Sequence, residues 1–198
     1  MRISLALGVL LVTAWGWGCS KETPETEAAE PAPPPGSPAW KIRNARTAAP
    51  YEVAVGATVL DWPASDTAAP DTLERGVNGW TCFPDYAATP TNDPMCADEE
   101  FGRWGEAWMA RRPPAVRAMG VGYMLRGGQV ASDTDPFKMA PDSGQQWLVD
   151  PPHLMIVMPN PRQSFATLPT TRTAAGPWVM YAGTPYAHLM VPLGSPTR

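Results

Sequence analysis

Proline limits the fold of this chain more than any other residue. The 198 residues include 25 prolines, six of them between Ser20 and Pro38 and the others spread through the rest of the sequence. Because proline lacks a backbone N–H and clashes with the preceding helical turn, it interrupts helices and central strands. Together with 17 glycines, this spacing predicts short elements joined by many Pro- and Gly-containing loops.

The first eighteen residues have the composition of a signal peptide. Arg2 supplies a positive charge, and residues 3–17 carry none. This uncharged stretch is shorter than the ~20 residues that a helix needs to cross a bilayer. Small residues follow it, as they do at a cleavage site. We predict that residues 1–18 direct export and are then removed.

Cys19 follows this segment in a pattern that resembles a bacterial lipobox. Gly16-Trp17-Gly18-Cys19 has the small residue that precedes the cysteine of such a box, although Gly16 stands where the family has Leu. The resemblance implies that Cys19 is acylated and becomes the first residue of the mature protein. The alternative is ordinary signal-peptide cleavage after Gly16 or Gly18, because each ends a small-x-small triplet.

Residues 19–38 are predicted to be a disordered tether that begins at the lipid-bearing cysteine. They are polar, rich in proline and glutamate, and free of large apolar side chains. Such a segment cannot bury enough surface to fold. The protein is therefore predicted to be exported and anchored in the cell envelope, with its domain in the periplasm or at the cell surface.

Cys82 and Cys96 are predicted to form a disulfide. If Cys19 carries lipid, they are the pair that remains, and an oxidising compartment joins such thiols. Closing a loop of this length contributes about 3 kcal/mol to stability. The alternative is metal ligation, but no nearby histidine or second cysteine pair completes a zinc set.

Residues 39–198 are predicted to form a single domain, since they are numerous enough to build a sizeable core. They carry 13 Lys and Arg against 15 Asp and Glu, so no basic face is indicated and nucleic acid is not an expected partner. No cofactor is expected either. The expected partners are the membrane, through the N-terminal lipid, and an unidentified envelope ligand or protein.

The domain is predicted to be an α+β fold of mainly short antiparallel strands with one amphipathic helix. Aromatic residues recur at helical spacing between 101 and 108, which predicts a helix over residues 94–112. Asp93 is a suitable N-cap for that helix. Cys96 would then lie in its first turn, so that the disulfide would join the helix to a strand.

Alternating apolar residues predict a strand over Tyr51–Trp62. Gly127-Gly128 predicts the turn of a hairpin that spans residues 116–131. Near the C-terminus, residues 147–159 and 178–192 look alike, because each has a Trp-led strand, a Pro-bearing corner and a His-Leu-Met strand.

This likeness places His153 and His188, the two histidines of the chain, in equivalent positions. If their strands are neighbours, the imidazoles could lie close together on one face. They could then act as acid and base near neutral pH, with Asp150 as a third catalytic candidate. The alternative is that each histidine is a core-edge residue whose ring nitrogens bond to the backbone.

The same two histidines are the first candidates for a metal site. A carboxylate would complete the ligand set for a divalent ion, and Asp150, Asp133 and Asp135 are the candidates. The loop that contains Asp133 and Asp135 lacks the later glutamate of a calcium site, and ordinary turn chemistry explains its composition.

No motif of a nucleophilic hydrolase, zinc protease, phosphate loop or dinucleotide site is present. Residues 78–85, 95–98 and 184–190 resemble stretches of exported bacterial proteins of unknown function. That resemblance covers about residues 48–192 and implies no activity. The sequence therefore favours a non-catalytic domain that binds a ligand or partner. The alternative is a small hydrolase or metal-dependent enzyme that uses His153 and His188.

Overall fold

An eight-stranded sheet is the framework of the fold, in a computed structural model that describes residues 32–65, 68–173 and 176–194. In chain order the strands are β1 Thr58–Leu60, β2 Thr72–Glu74, β3 Thr81–Phe83, β4 Met95–Ala97, β5 Gly120–Met124, β6 Gly128–Val130, β7 Leu148–Asp150, β8 His153–Val157, β9 Trp178–Met180 and β10 His188–Pro192. The large sheet has the order β2-β1-β3-β4-β5-β8-β10-β9, and β6 and β7 form a separate pair. The β1–β3 pair is parallel and the other pairs are antiparallel.

Four helices accompany the strands in the described residues. They are α1 Pro38–Ala45, α2 Tyr51–Ala54, α3 Glu99–Met109 and α4 Pro161–Ser164, and a 3₁₀ turn at Arg46–Ala48 follows α1. The predicted α+β class is therefore confirmed. No helix in these residues is long and apolar enough to cross a membrane. The predicted signal peptide, Cys19 and the tether up to residue 31 lie outside the described residues.

Helix α3 is shorter than predicted and has a different N-cap. The side chain of Asp98, rather than Asp93, accepts a hydrogen bond from the N–H of Phe101 at 2.8 Å. Its second carboxylate oxygen accepts from the N–H of Val121 at 2.8 Å. The helix starts late because the preceding residues pair as β4 between two other strands, and these backbone groups cannot also bond along a helix.

The disulfide between Cys82 and Cys96 is confirmed, but it joins two strands. The cysteines are direct partners on β3 and β4, with Cα atoms 4.0 Å apart. The predicted position of Cys96 in a helix is therefore wrong. Residues 38–54, which contain α1, the 3₁₀ turn and α2, form the N-terminal helical segment. Both cysteines are fully buried among its small side chains, and the sulfur of Cys96 lies 3.7 Å from the carbonyl oxygen of Ala45.

Two predicted strand patterns are corrected by the structure. The first half of 51–62 is α2, because a helical turn forms after Pro50 in which the N–H of Val55 bonds to the carbonyl of Tyr51. The predicted hairpin over 116–131 does not form. Gly127 does adopt a positive φ of 75°, but β5 already has β4 and β8 as neighbours, so β6 pairs with β7 instead.

The main core lies between α3 and one face of the central strands. α3 contacts β4, β5 and β8, and its buried residues are Phe101, Trp104 and Ala107. The same cluster contains Trp178 and Met190 from the C-terminal strands. This core positions both histidines, because β8 and β10 each begin with one of them.

Candidate functional site

His153 and His188 lie on neighbouring strands, as the first residue of β8 and of β10. The strands run antiparallel, with Met190 opposite Met155 and Pro192 opposite His153. Because side chains alternate along a strand, both histidines are on the same face. This register separates them by four positions, or ~13 Å along the strand direction at the ordinary rise. The two histidines therefore start their strands from opposite ends of the β8–β10 pair, yet His153 still contributes to the lowered pKa of His188.

Each imidazole is buried and bonded to a nearby backbone carbonyl. Each histidine is 2% exposed. The Nδ1 of His153 lies 2.7 Å from the carbonyl oxygen of Pro151, and the Nδ1 of His188 lies 3.0 Å from that of Tyr186. A carbonyl oxygen only accepts, so in both neutral rings Nδ1 carries the proton and Nε2 holds the lone pair.

Burial keeps both rings neutral at physiological pH. It lowers the pKa of His188 to about 4, although the bond to the Tyr186 carbonyl opposes the shift. Burial also lowers the pKa of His153, against the opposing effect of the Asp150 carboxylate. An acid–base pair for neutral conditions needs at least one group whose pKa lies near 7. The pKa of each ring is lowered, which moves it away from 7.

His188 is surrounded by aromatic rings. Its ring centre lies 5.0 Å from that of Trp104 and 5.4 Å from that of Tyr181, with both pairs edge to face. Such pairs stabilise a core beyond the area they bury. The surroundings of His188 are therefore those of a packed core residue.

Asp150 binds a residue that the sequence did not identify, Arg172. The guanidinium of Arg172 forms ion pairs with Asp150 and Asp133. Its Nε donates to Asp133 at 2.9 Å, and its Nη1 also donates to the carbonyl of Val149 at 3.1 Å. The guanidinium carbon lies 4.9 Å from the ring centre of Trp178. Arg172 thus holds together a loop, the end of β7 and the start of β9.

The charges in this cluster compensate one another. Burial raises the pKa of Asp150, and the charge and hydrogen bond of Arg172 offset part of that effect. Burial alone would lower the pKa of Arg172, but its bonds to Asp133 and Asp150 raise it. A guanidinium, rather than an open space for a cation, therefore lies between the two carboxylates.

The other metal candidate, Asp135, is on the exposed side of the same loop. Its carboxylate accepts from the N–H of Phe137 at 2.9 Å, and its own N–H donates to the hydroxyl of Ser132. These are turn contacts. In the part of the chain that the structure describes, no group of three or more His, Cys, Asp or Glu side chains is placed to hold a metal ion.

Tyr181 is a second member of the cluster that sequence analysis missed. It is buried, it has a left-handed φ of 55°, and its N–H donates to the carbonyl of Asp133 at 2.7 Å. Burial and the Asp133 carboxylate raise the pKa of its phenol. No sequence spacing links Tyr181, Arg172 and Asp133, because they come from three separate loops.

Asp93 is a further buried carboxyl outside this cluster. Burial raises its pKa to about 6, while hydrogen bonds from Thr89 and from the N–H of Tyr86 oppose the shift. Its own N–H donates to Asp85 at 3.0 Å. Asp93 therefore organises a loop instead of capping the helix, which was its predicted role.

An open cleft of about 520 Å³ lies beside α4 and the turn before β10. Its lining residues are Asn160, Pro161, Arg162, Gln163, Gly183, Thr184 and Pro185. None of the predicted site residues contributes to it. The cleft is of small-ligand size, but it contains none of the histidine or carboxylate candidates.

Three exposed apolar side chains lie on α2 and on a loop bonded to the residues that follow it. Tyr51, Val55 and Val77 are 75%, 46% and 96% exposed. Tyr51 and Val55 are one helical turn apart, and the N–H of Val77 bonds to the carbonyl of Gly56 at 2.8 Å. We call these three side chains the α2 patch.

Comparisons with known proteins add no family to this description. No protein-family model matches the chain, and no curated protein or solved structure matches it significantly.

Proposed function

We propose that this protein is an exported, lipid-anchored component of the cell envelope whose domain binds a partner without catalysing a reaction. One contrast carries the proposal. The histidines and Asp150, which could support catalysis, are buried, whereas an aromatic and two valine side chains of the α2 patch are exposed. Contiguous exposed apolar patches are typical of interaction surfaces.

The buried cluster supports a structural role for the candidate residues. Both imidazoles bond to backbone carbonyls, and Asp150 is paired with Arg172. A catalytic acid or base must reach a substrate proton. The core packing around His153 and His188 leaves no such access in this conformation.

The anchor is tested first, by mass spectrometry of the N-terminal peptide of protein taken from membranes. An acylated Cys19 as the first residue is expected. A Cys19→Ser variant should leave the membrane fraction. An N-terminus at Trp17, or an unmodified Cys19, would contradict the anchor and favour ordinary cleavage.

The alternative, a metal-dependent enzyme that uses His153 and His188, is tested by metal binding. Calorimetric titration of the protein with Zn²⁺ is expected to show no binding that depends on His153. The His153→Asn variant is the comparison, because its amide can still donate to the Pro151 carbonyl. A stoichiometric zinc site that this variant loses would favour the metal-dependent enzyme.

A further inference from the structure

We infer that His153, Met155 and Met124 form a binding site for Cu(I), a soft monovalent metal ion. The inference goes beyond the proposed function, and it needs neither the lipid at Cys19 nor the α2 patch. It starts from the His-Leu-Met sequence that opens both β8 and β10. Because side chains alternate along a strand, this sequence places an imidazole and a thioether on the same face.

The neighbouring strand β5 adds a second thioether. Met124 is the direct partner of His153 in the register between β5 and β8, and Gly122 is the partner of Met155. Direct partners have Cβ atoms ~5 Å apart, and Met155 lies two residues, or ~7 Å, along the strand from His153. A Cβ at Gly122 would lie 3.0 Å from the methyl carbon of Met155. Met155 therefore extends over this glycine, towards the strand that carries Met124.

The ring of His153 has the tautomer that binds a metal through Nε2. Its Nδ1 donates to the carbonyl of Pro151 at 2.7 Å, so the lone pair is on the other ring nitrogen. Histidines that bind metals almost always donate their second nitrogen in this way, which fixes the orientation of the ring. The set therefore offers one imidazole nitrogen and two thioether sulfurs.

These donors determine which metal the set would take. Thioether sulfur is a soft ligand that selects Cu(I), whereas zinc sites use thiolate, imidazole or carboxylate donors. The charge nearby also favours a cation, because the buried cluster beside His153 has two carboxylates, Asp133 and Asp150, against one guanidinium, Arg172. Methionine has three rotatable bonds, so its sulfur can turn towards an ion without a change in the backbone.

An equivalent set at the start of β10 has the same donors but is closed to solvent. His188 is followed by Met190 on its own strand, has Met180 as its partner on β9, and bonds through Nδ1 to a backbone carbonyl in the same way. All three of these residues are 2% exposed. Met124, by contrast, is only partly buried, so an ion can approach the proposed site from that side. The set on β10 therefore provides an internal control.

The test is competition for Cu(I) between the protein and the coloured chelator bicinchoninate, in the absence of oxygen and of thiol reductants. The mature chain, residues 19–198, carries Cys19→Ser, which removes the one cysteine outside the disulfide. We expect the protein to take one Cu(I) ion from the chelator. X-ray absorption at the copper edge should then show both nitrogen and sulfur neighbours.

Single replacements locate the site. Met155→Leu and Met124→Leu nearly conserve the volume of the side chain and remove its sulfur, and His153→Asn keeps a donor for the Pro151 carbonyl. Each should weaken Cu(I) binding at least about tenfold, since even residues that only orient a metal ligand contribute about 10- to 100-fold to affinity. Met180→Leu, the matched change in the set on β10, should leave the affinity unchanged.

Failure to take Cu(I) from the chelator would overturn the inference. Copper without sulfur neighbours in the X-ray absorption spectrum would also overturn it, and this measurement does not depend on how well the variants fold. Binding that survives both Met155→Leu and His153→Asn would show adventitious uptake only. A loss in Met180→Leu as large as that in Met155→Leu would contradict the assignment of the site to His153.

Discussion

The guanidinium of Arg172 stacks over the ring of Trp178, with 4.9 Å between the guanidinium carbon and the ring centre. In that position it pairs with Asp150, which is 5% exposed, and with Asp133. Arg172 is therefore the group that makes burial of Asp150 tolerable, since an unpaired buried carboxylate is strongly destabilising.

Replacing Arg172 should therefore destabilise the fold substantially. Arg172→Met keeps an apolar stem but leaves Asp150 unpaired, and we expect a loss of about 3–5 kcal/mol in the free energy of unfolding. Lys138→Met is the control, because it removes an ion pair with the exposed Asp142 and should cost less than about 1 kcal/mol. Urea unfolding of both variants measures the difference. Equal small losses would show that Asp150 does not depend on Arg172.

The buried His188 should make the protein less stable in acid. Its pKa is about 4 in the folded state and about 6.5 when unfolded. Between these values the unfolded chain binds more protons, so the His188 contribution to stability is complete above pH 6.5 and is lost as the pH falls towards 4.

The variant His188→Asn isolates this contribution, because its amide can still donate to the Tyr186 carbonyl. Its stability relative to the wild type should improve as the pH falls from 6.5 to 4, by up to about 3 kcal/mol. Urea unfolding over that pH range is the measurement. A difference between variant and wild type that does not change with pH would mean that His188 is not a buried neutral ring.

The contribution of Asp93 to stability should change with pH in the opposite direction to that of His188. Its folded pKa is raised to about 6, against an ordinary aspartate value of about 3.8 in the unfolded chain. A raised pKa gives a contribution that is complete below pH 3.8 and is lost as the pH rises through 6. Asp93→Asn should therefore gain stability relative to the wild type as the pH rises across this range, by up to about 3 kcal/mol. A constant difference would show that the Asp93 carboxyl is ordinarily hydrated.

Replacement by alanine should have opposite effects on stability at Gly102, in α3, and at Gly120, at the start of β5. A Cβ at Gly120 would lie 2.5 Å from the backbone nitrogen of Phe101, whereas one at Gly102 would meet nothing within 4 Å. Gly102→Ala should therefore stabilise the protein by roughly 0.5–1 kcal/mol, as it does in exposed helices.

Gly120→Ala must push β5 and the start of α3 apart, and overpacking of this kind costs about 1–3 kcal/mol or more. Thermal unfolding of the two variants tests the contrast. Stabilisation by Gly120→Ala would contradict the close contact between β5 and α3.

The sequence predicts local features of this fold better than it predicts pairings. The strands at β8, β9 and β10 follow apolar runs between prolines, and these were identified. The late start of α3 was not, because Met95–Ala97 suits a helix locally and becomes β4 only through its neighbours β3 and β5. Tertiary pairing overrides local propensity in such short segments.

The candidate site was predictable only in part, for a related reason. Histidine is rare in this chain, so His153 and His188 could be singled out and given equivalent positions, whereas the structure shows that their strands are neighbours. The antiparallel register that separates them depends on how the strands pair. Arg172 and Tyr181 lie in loops without a distinctive pattern, and only the folded chain brings them to Asp133 and Asp150.

The burial of the Cys82–Cys96 bond sets an order of events in the biogenesis of this protein. Both cysteines have no exposed surface, and the N-terminal helical segment lies over them. An oxidising enzyme cannot reach thiols in that position. Oxidation must therefore take place while residues 38–54 are still undocked, and a chain that folded completely before oxidation would have to reopen to be oxidised.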